Sequence, residues 1–286
     1  MSKRARNSPE TSCSSLQELW DEQDHFRESI LSKLRGYLDT PQTRNMDRCG
    51  REKVYRTCKE CDATKSFGYH CDLKFCPRCN HRITRKRVHV LKLWSTRISQ
   101  PKHIVTTQRN FKTLVGSEIR RHQKNLVLLR RSPCFAEVKG GCVSVEITNE
   151  DRGWHLHAHW LVDARWVDAG ELARTWGRLV GQDEGAVVKV KDVRGQDYVA
   201  EVAKYVAKGS EIAAWKTHEI MEFLVAIFRK RFFFTFGTLF KEGGAIRAQL
   251  NSEHVETLCD CGCSKFVFRS ELDQTLADIR QDARRR

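Results

Sequence analysis

The sequence has no run of about 18 consecutive apolar residues, so it predicts no membrane-crossing helix. It also lacks an apolar stretch behind its basic opening, Met1-Ser2-Lys3-Arg4-Ala5-Arg6. That argues against a secretory signal and predicts a cytoplasmic chain with no membrane partner. No internal repeat is visible, which excludes a solenoid or propeller built from copies of one unit. Acidic residues are short: 36 Asp and Glu face 51 Lys and Arg, a net charge of +15. Such a surplus favours a polyanionic partner, nucleic acid before any other, although a merely solvated cationic surface has the same composition. The 286 residues suffice for one large or two modest domains, each with its own core.

Cysteine, by contrast, is plentiful, with 12 residues. In a reducing compartment this points to metal ligation before disulfides. One group comprises Cys58, Cys61, Cys71, Cys76 and Cys79, and another is Cys259-Asp260-Cys261-Gly262-Cys263. The scattered Cys13, Cys49, Cys134 and Cys142 read as small buried hydrophobes. Cys58-x2-Cys61 with Cys76-x2-Cys79 is a zinc-ribbon signal. Cys71, His70 and His81 are further candidates, and spacing leaves open which four ligate. An all-thiolate site has no open coordination position, so the expected Zn²⁺ is structural. The later group, with His254, is a candidate second zinc element of unusual spacing. Lys53, Arg56, Lys59, Lys65, Lys74, Arg78, Arg82, Arg85, Lys86 and Arg87 surround the first group as a basic surface suited to DNA phosphates.

The segment Gly153-Trp154-His155-Leu156-His157-Ala158-His159-Trp160 places three histidines at period two. In a strand His155, His157 and His159 then share one face and can grip a metal ion, while Leu156, Ala158 and Trp160 face a core. Cys142 to Thr148 alternates in the same way, and residues 149–153 carry turn chemistry, so the two segments form a hairpin. Glu146 then lies level with the histidines as an oxygen ligand. Helical spacing marks residues 15–38, 82–97, 117–131, 168–180 and 196–208, and strands are expected at 103–107 and 186–193. In the helix over 196–208, Tyr198, Glu201, Tyr205 and Lys208 share one face, with Val199, Val202, Ala203 and Val206 turned to the core. A tyrosine can attack a metal-polarised phosphate, and a carboxylate one turn away can activate water. An ordinary amphipathic helix has the same pattern, and the residues alone leave both readings open.

Together these segments resemble the HUH superfamily of single-strand endonucleases, most closely the rolling-circle plasmid replication initiators that carry a Cys-rich segment. His103-Ile104-Val105-Thr106-Thr107 is similar to the family's first strand. Residues 154–161 match its Trp-x-x-His-x-His pattern, Glu201-Val202-Ala203-Lys204-Tyr205 its Glu-x-x-x-Tyr helix, and residues 71–79 its Cys-x4-Cys-Pro-x-Cys signature. The resemblance covers residues 58–208. It implies Mg²⁺ or Mn²⁺ on His157 and His159 with Glu146 or His155 as third ligand, Tyr205 as nucleophile, and Glu201 as promoter of hydrolysis. Lys204 and Lys208 are candidates for stabilising charge on DNA, with Arg78, Arg82, Arg85 and Lys86 as further contacts. His155 departs from the family pattern, and Tyr198 is a second tyrosine of unassigned role.

The expected fold is α+β, a central antiparallel sheet with the histidine strand in its middle and helices on one face. Residues 1–50 form a disordered tail and a helix, 51–100 the zinc module and a basic helix, 101–240 the nuclease domain, and 241–286 a tail. The expected function is a site-specific endonuclease and strand transferase. It nicks single-stranded or cruciform origin DNA in a prokaryotic cytoplasm, leaving a 5′-phosphotyrosine and a 3′-OH, and works with a host helicase and polymerase. An HUH transposase or mobilisation relaxase, and a non-catalytic zinc-dependent nucleic-acid-binding protein, are the alternatives.

Overall fold

A computed structural model describes residues 16–150, 152–182, 186–193, 198–203, 207–253, 261 and 266–268. Only the backbone is described at 16–17, 201, 247–253 and 266–268. The expected N-terminal tail, residues 1–15, lies outside this set. Two helices, α1 (Leu16–Leu34) and α2 (Pro41–Arg48), lead into a short hairpin, β1 (Lys53–Cys58) and β2 (Thr64–Gly68). Thr40 caps α2 with its side chain, and Pro41 occupies the first turn, where no backbone donor is needed. The basic helix α3 (Pro77–Ser95) also opens on a proline, Pro77, but without a side-chain cap. Then follow β3 (Pro101–Thr107), α4 (Gly116–Arg130), β4 (Val138–Glu150), β5 (Gly153–Ala164), α5 (Ala169–Val180) and β6 (Val188–Asp192). The chain closes with α6 (Tyr198–Val202), α7 (Gly209–Ala214), α8 (Thr217–Ile227), β7 (Phe233–Phe236), α9 (Gly237–Glu253) and β8 (Phe266–Phe268). Among the described residues no helix is long and apolar enough to cross a membrane.

Five strands form one antiparallel sheet in the order β6-β3-β5-β4-β7, so the histidine strand is its centre. The expected α+β class with a central antiparallel sheet is thus the observed one. The β4–β5 hairpin is paired out to Glu150 opposite Gly153, a tighter turn than residues 149–153 suggest. Gly153 has φ +92°, and a side chain there would collide with the Phe111 carbonyl. Glycine alone combines that backbone angle with that approach.

The even positions of β5, Trp154 through Val162, pack with Val143, Val145 and Ile147 of β4 against Ile119, Leu126 and Leu129 of α4 and Leu172 and Trp176 of α5. The opposite face is not bare. Cys142 and Leu161 are buried there beneath Leu91 and Trp94 of α3, Val199 and Val202 of α6, and Leu239 and Ile246 of α9. Helices therefore cover both faces, not one. On the second face the cover centres on Leu161, toward one end of the strand from the histidines. The polar alternation of β4 accordingly does not mean exposure: Ser144 and Glu146 are buried.

Buried His122 on α4 lies edge-on to Trp176 at 5.6 Å, and neither ring nitrogen has a partner among the described residues. Burial, aided by the His157 and His155 rings, holds its pKa at about 3. The unfolded imidazole takes a proton near pH 6.5 that the folded one refuses, so stability falls as pH drops from about 6.5 toward 3. At pH 5 this costs about 2 kcal/mol. Thermal unfolding of His122→Leu should lose that share of the decline between pH 7 and pH 5. An unchanged decline would refute the assignment.

Candidate metal and nucleic-acid site

Strand pairing fixes what surrounds the histidines. In β4–β5 Glu146 sits directly opposite His157, Ser144 opposite His159 and Thr148 opposite His155. On the other side of β5, Thr107 pairs with His157 and Val105 with His159. Paired residues share a face, so Glu146, His157, His159, Val105 and Thr107 line one polar patch.

The tightest contact there joins His159 Nε2 to Glu146 Oε2 at 3.2 Å, both side chains being buried. A carboxylate only accepts, so Nε2 is the donor of this bond, and Nδ1 points to the other side of the ring. His103 meets that nitrogen: its Nε2 is 3.4 Å from His159 Nδ1, and the rings stack at 5.6 Å and 18°. His159 is thus fixed from both sides. Neighbouring vertices of an octahedron with bonds near 2.1 Å lie about 3 Å apart. The Glu146–His159 donors have that separation and the nitrogen-plus-oxygen chemistry of a divalent cation site.

His157 is not drawn into this pair. Its ring is 6.3 Å from that of His159 and 4.0 Å from that of His155. His155 is two positions further along the strand from Glu146, and burial lowers its pKa, with a hydrogen bond involving Gln108 opposing the shift. Among the described residues, only two groups of three or more His, Cys, Asp or Glu donors lie within 4.8 Å of one another, and both are cysteine clusters.

A cleft of about 310 Å³ opens beside the histidines, lined by His103, Val105, Thr107, His157, His159, Val187, Lys189 and Lys191. Val105 pairs with Lys189 on β6 and with His159 on β5. Two strand spacings therefore put the backbone of the exposed Lys189 about 10 Å from that of His159. Lys189 and Lys191 were not singled out from sequence. Their alternation in Val188-Lys189-Val190-Lys191 was legible, but which face they share depends on the β3–β6 register. Glu211 on α7 was missed as well. Burial raises its carboxyl, Lys208 at 3.4 Å opposes that, and the charge of Glu146 adds to the rise.

The segment expected to carry the nucleophile differs from a single helix. α6 ends at Val202, and Lys208 is the extended N-cap of α7, so Gly209 begins a helix where a stop was expected. Tyr198, expected on the polar face, is buried with Leu91 and Trp94. Burial raises its phenol, and a hydrogen bond with Ser95 partly offsets this. The α3 helix packing over α6 supplies the apolar surface that captures it. Of Glu201 only the backbone is described, and Lys204 and Tyr205 lie outside the described residues, as do His254, Cys259 and Cys263.

The cysteines partition differently from the ribbon spacing. Cys49, Cys71, Cys76 and Cys79 form one buried group, and Cys58, Cys61 and Cys261 another. Cys49, an isolated core residue by sequence, contributes to the first because α2 ends beside the start of α3. Buried Arg27 holds its carbonyl by hydrogen bond. Cys58 and Cys61 are not partners of Cys76 and Cys79. Sulfur separations in the first group are 3.5, 3.7 and 3.7 Å. Zn–S bonds near 2.3 Å put the vertices of a tetrahedron about 3.8 Å apart, so these clusters can hold a zinc ion. The Asp72 N–H donates to Cys79 Sγ at 3.2 Å, further support for a thiolate. His70 hydrogen-bonds the thiols of Cys49 and Cys79, which raises its pKa. His81 instead lies edge-on to Trp20, at 5.6 Å.

Of the basic residues proposed for DNA, Arg85 and Lys86 are exposed on α3. Arg78 pairs with Asp24 at 3.3 Å and lies over Trp20, and Arg82 pairs with Asp72. Both are held within the protein. Lys208 is exposed beside Glu211.

A family model described as a replication protein, Rep_1, matches residues 65–265, a span that includes the sheet, the cleft and most of the buried cysteine cluster. No curated protein and no solved structure matches the chain. The chain belongs to this family of rolling-circle replication proteins and is a plasmid replication initiator.

Proposed function

We propose that the protein nicks one DNA strand at its replicon origin, using Tyr205 as nucleophile and a divalent cation held by His157, His159 and Glu146. What carries this reading is the buried Glu146–His159 pair at 3.2 Å on the face of the central strand. When bound, Mg²⁺ or Mn²⁺ supplies Lewis acidity at the scissile phosphate. His103 and Glu146 hold the His159 ring in place, and Lys189 and Lys191 draw the DNA backbone toward the cleft. The Tyr205 oxygen forms a bond to phosphorus as the bond to the 3′ oxygen breaks. The phenolic proton is lost to a base, and the 3′ oxygen takes up a proton to become a free 3′-OH. Glu201 can later deprotonate the water that releases the tyrosine. A 3′-OH is a primer, so the cycle calls for a host polymerase and helicase. Arg85, Lys86, Lys204 and Lys208 contribute further phosphate contacts. Zn²⁺ on Cys49, Cys71, Cys76 and Cys79 is structural, since four thiolates leave no position for substrate.

Glu146→Gln and His159→Ala should each lower Mn²⁺-dependent nicking of a single-stranded origin oligonucleotide about a hundredfold or more, with zinc content unchanged. Chelation should stop the wild-type reaction, and Mn²⁺ alone should restore it. Nicking that survives both chelation and these substitutions would rule out the proposed centre.

A further inference from the structure

The turn between β1 and β2 has no part in the nicking chemistry, yet it is shaped as a sulfur cradle. Cys58 ends β1, and its N–H donates to the Ala63 carbonyl at 2.9 Å while the Asp62 N–H donates to the Cys58 carbonyl at 3.1 Å. Asp62 takes φ +54°, which curls the chain back on itself. The backbone N–H groups of Glu60 and Cys61 donate to the Cys58 sulfur, an arrangement that favours thiolate. From the far end of the chain, β8 adds to this sheet, with Cys58 opposite Phe266 and Thr57 opposite Val267. That pairing brings Cys261 Sγ to 3.6 Å from Cys58 Sγ, across a sequence separation of 203 residues. The sulfurs of Cys58, Cys61 and Cys261 all lie within 4.8 Å of one another.

We propose that Cys58, Cys61 and Cys261 form a second zinc centre, separate from the buried four-thiol site, that staples the chain near residue 261 to the β1–β2 turn. Three converging sulfurs point to a metal, since a disulfide joins only two. Thiolates with N–H donors on their sulfur select a soft or borderline cation, which in a cell is Zn²⁺. Cys61 and Cys261 are exposed, whereas all four cysteines of the other site are buried. The second ion therefore exchanges faster than the first. Closing a loop of this length from the two ends of the chain gains its stability from the metal, because β8 has only three residues to hold it in place. The family match covers residues 65–265, so Cys58 and Cys61, two of the three ligands, lie outside the matched span.

The test is a zinc count on the full-length protein, with release followed by a metal-binding dye. Wild type should carry two zinc ions per chain, one released quickly by a mild chelator and one slowly. Cys261→Ser and Cys61→Ser, both at exposed positions, should each carry one and lose the fast phase alone. Limited proteolysis should then cleave near residue 261 at least about tenfold faster. A single zinc in wild type, two in Cys261→Ser, or a Cys58–Cys261 disulfide in the purified protein would overturn the proposal. Because zinc is counted without DNA, this outcome is independent of whether nicking occurs.

Discussion

Tyr205→Phe should leave the protein folded, zinc-loaded and able to bind single-stranded DNA, yet unable to form a covalent adduct with it. The substitution removes one oxygen and nothing else, so a loss of at least about a thousandfold in strand cleavage would measure the nucleophile itself. The expected readout is the disappearance of a DNA-linked protein band formed with Mn²⁺ and an origin-like oligonucleotide. The nearest rival, Tyr198, has no route to rescue the reaction. It is packed against Leu91 and Trp94 of α3, and burial pushes its phenol toward the protonated form. Tyr198→Phe should therefore keep the adduct. An adduct mapped to Tyr198, or undiminished in Tyr205→Phe, would remove Tyr205 from the mechanism.

Cys49→Ser should destabilise the protein strongly for a change of a single atom. Ribbon spacing alone gives this residue no role, and a merely buried cysteine would tolerate serine at a cost of about 1 kcal/mol. The structure instead places Cys49 Sγ 3.5 Å from Cys79 and 3.7 Å from Cys76. Burial first, then hydrogen bonds with the Cys49, Cys76 and Cys79 sulfurs and last the charge of Cys76, raise the Cys71 thiol well above the ordinary range. A divalent cation would offset that cost by stabilising the thiolates. Structural zinc contributes on the order of 10 kcal/mol to folding of small metal-bound units, comparable to the whole stability of a domain. Losing one of four ligands should thus cost several kcal/mol and lower the melting temperature by roughly 10 °C. The slowly released zinc should go with it. Cys142→Ser is the control: that thiol is buried in the sheet, pushed up to about 12 by desolvation, and belongs to neither cluster. Equal effects of the two substitutions would deny Cys49 a metal role.

Local periodicity made the centre of the fold legible. Alternation over Cys142–Thr148 and Gly153–Val162 with a short turn leaves little choice of pairing, since a slip by one residue would turn Trp154, Leu156 and Trp160 outward. The opposition of Glu146 and His157 follows from that register. Helices such as α4 and α5 were similarly readable from their apolar spacing. The same local reasoning misjudged residues 196–208. It turned Val199, Val202, Ala203 and Val206 to the core and Tyr198 away from it, when α3 also covers Tyr198.

The cysteines show where local reading stops. A Cys-x2-Cys pair specifies half of a metal site, because two thiols on one turn converge whatever the rest of the chain does. It says nothing of the other half, which comes from wherever packing delivers it. So Cys58 and Cys61 meet Cys261 through the β1–β8 pairing, and Cys76 and Cys79 meet Cys49 because the end of α2 lies beside the start of α3. Lys189 and Lys191 reach the histidine cleft only because β6 pairs with β3. The sequence by itself determined the α+β class, the histidine strand and the carboxylate facing it, all set by contacts between neighbours along the chain. Tertiary structure alone decided which thiols cluster, that Tyr198 is buried and which lysines flank the cleft. Those depend on side chains as far apart as 30 and 203 residues, whose meeting is fixed by the packing of whole elements and by no spacing within any one of them.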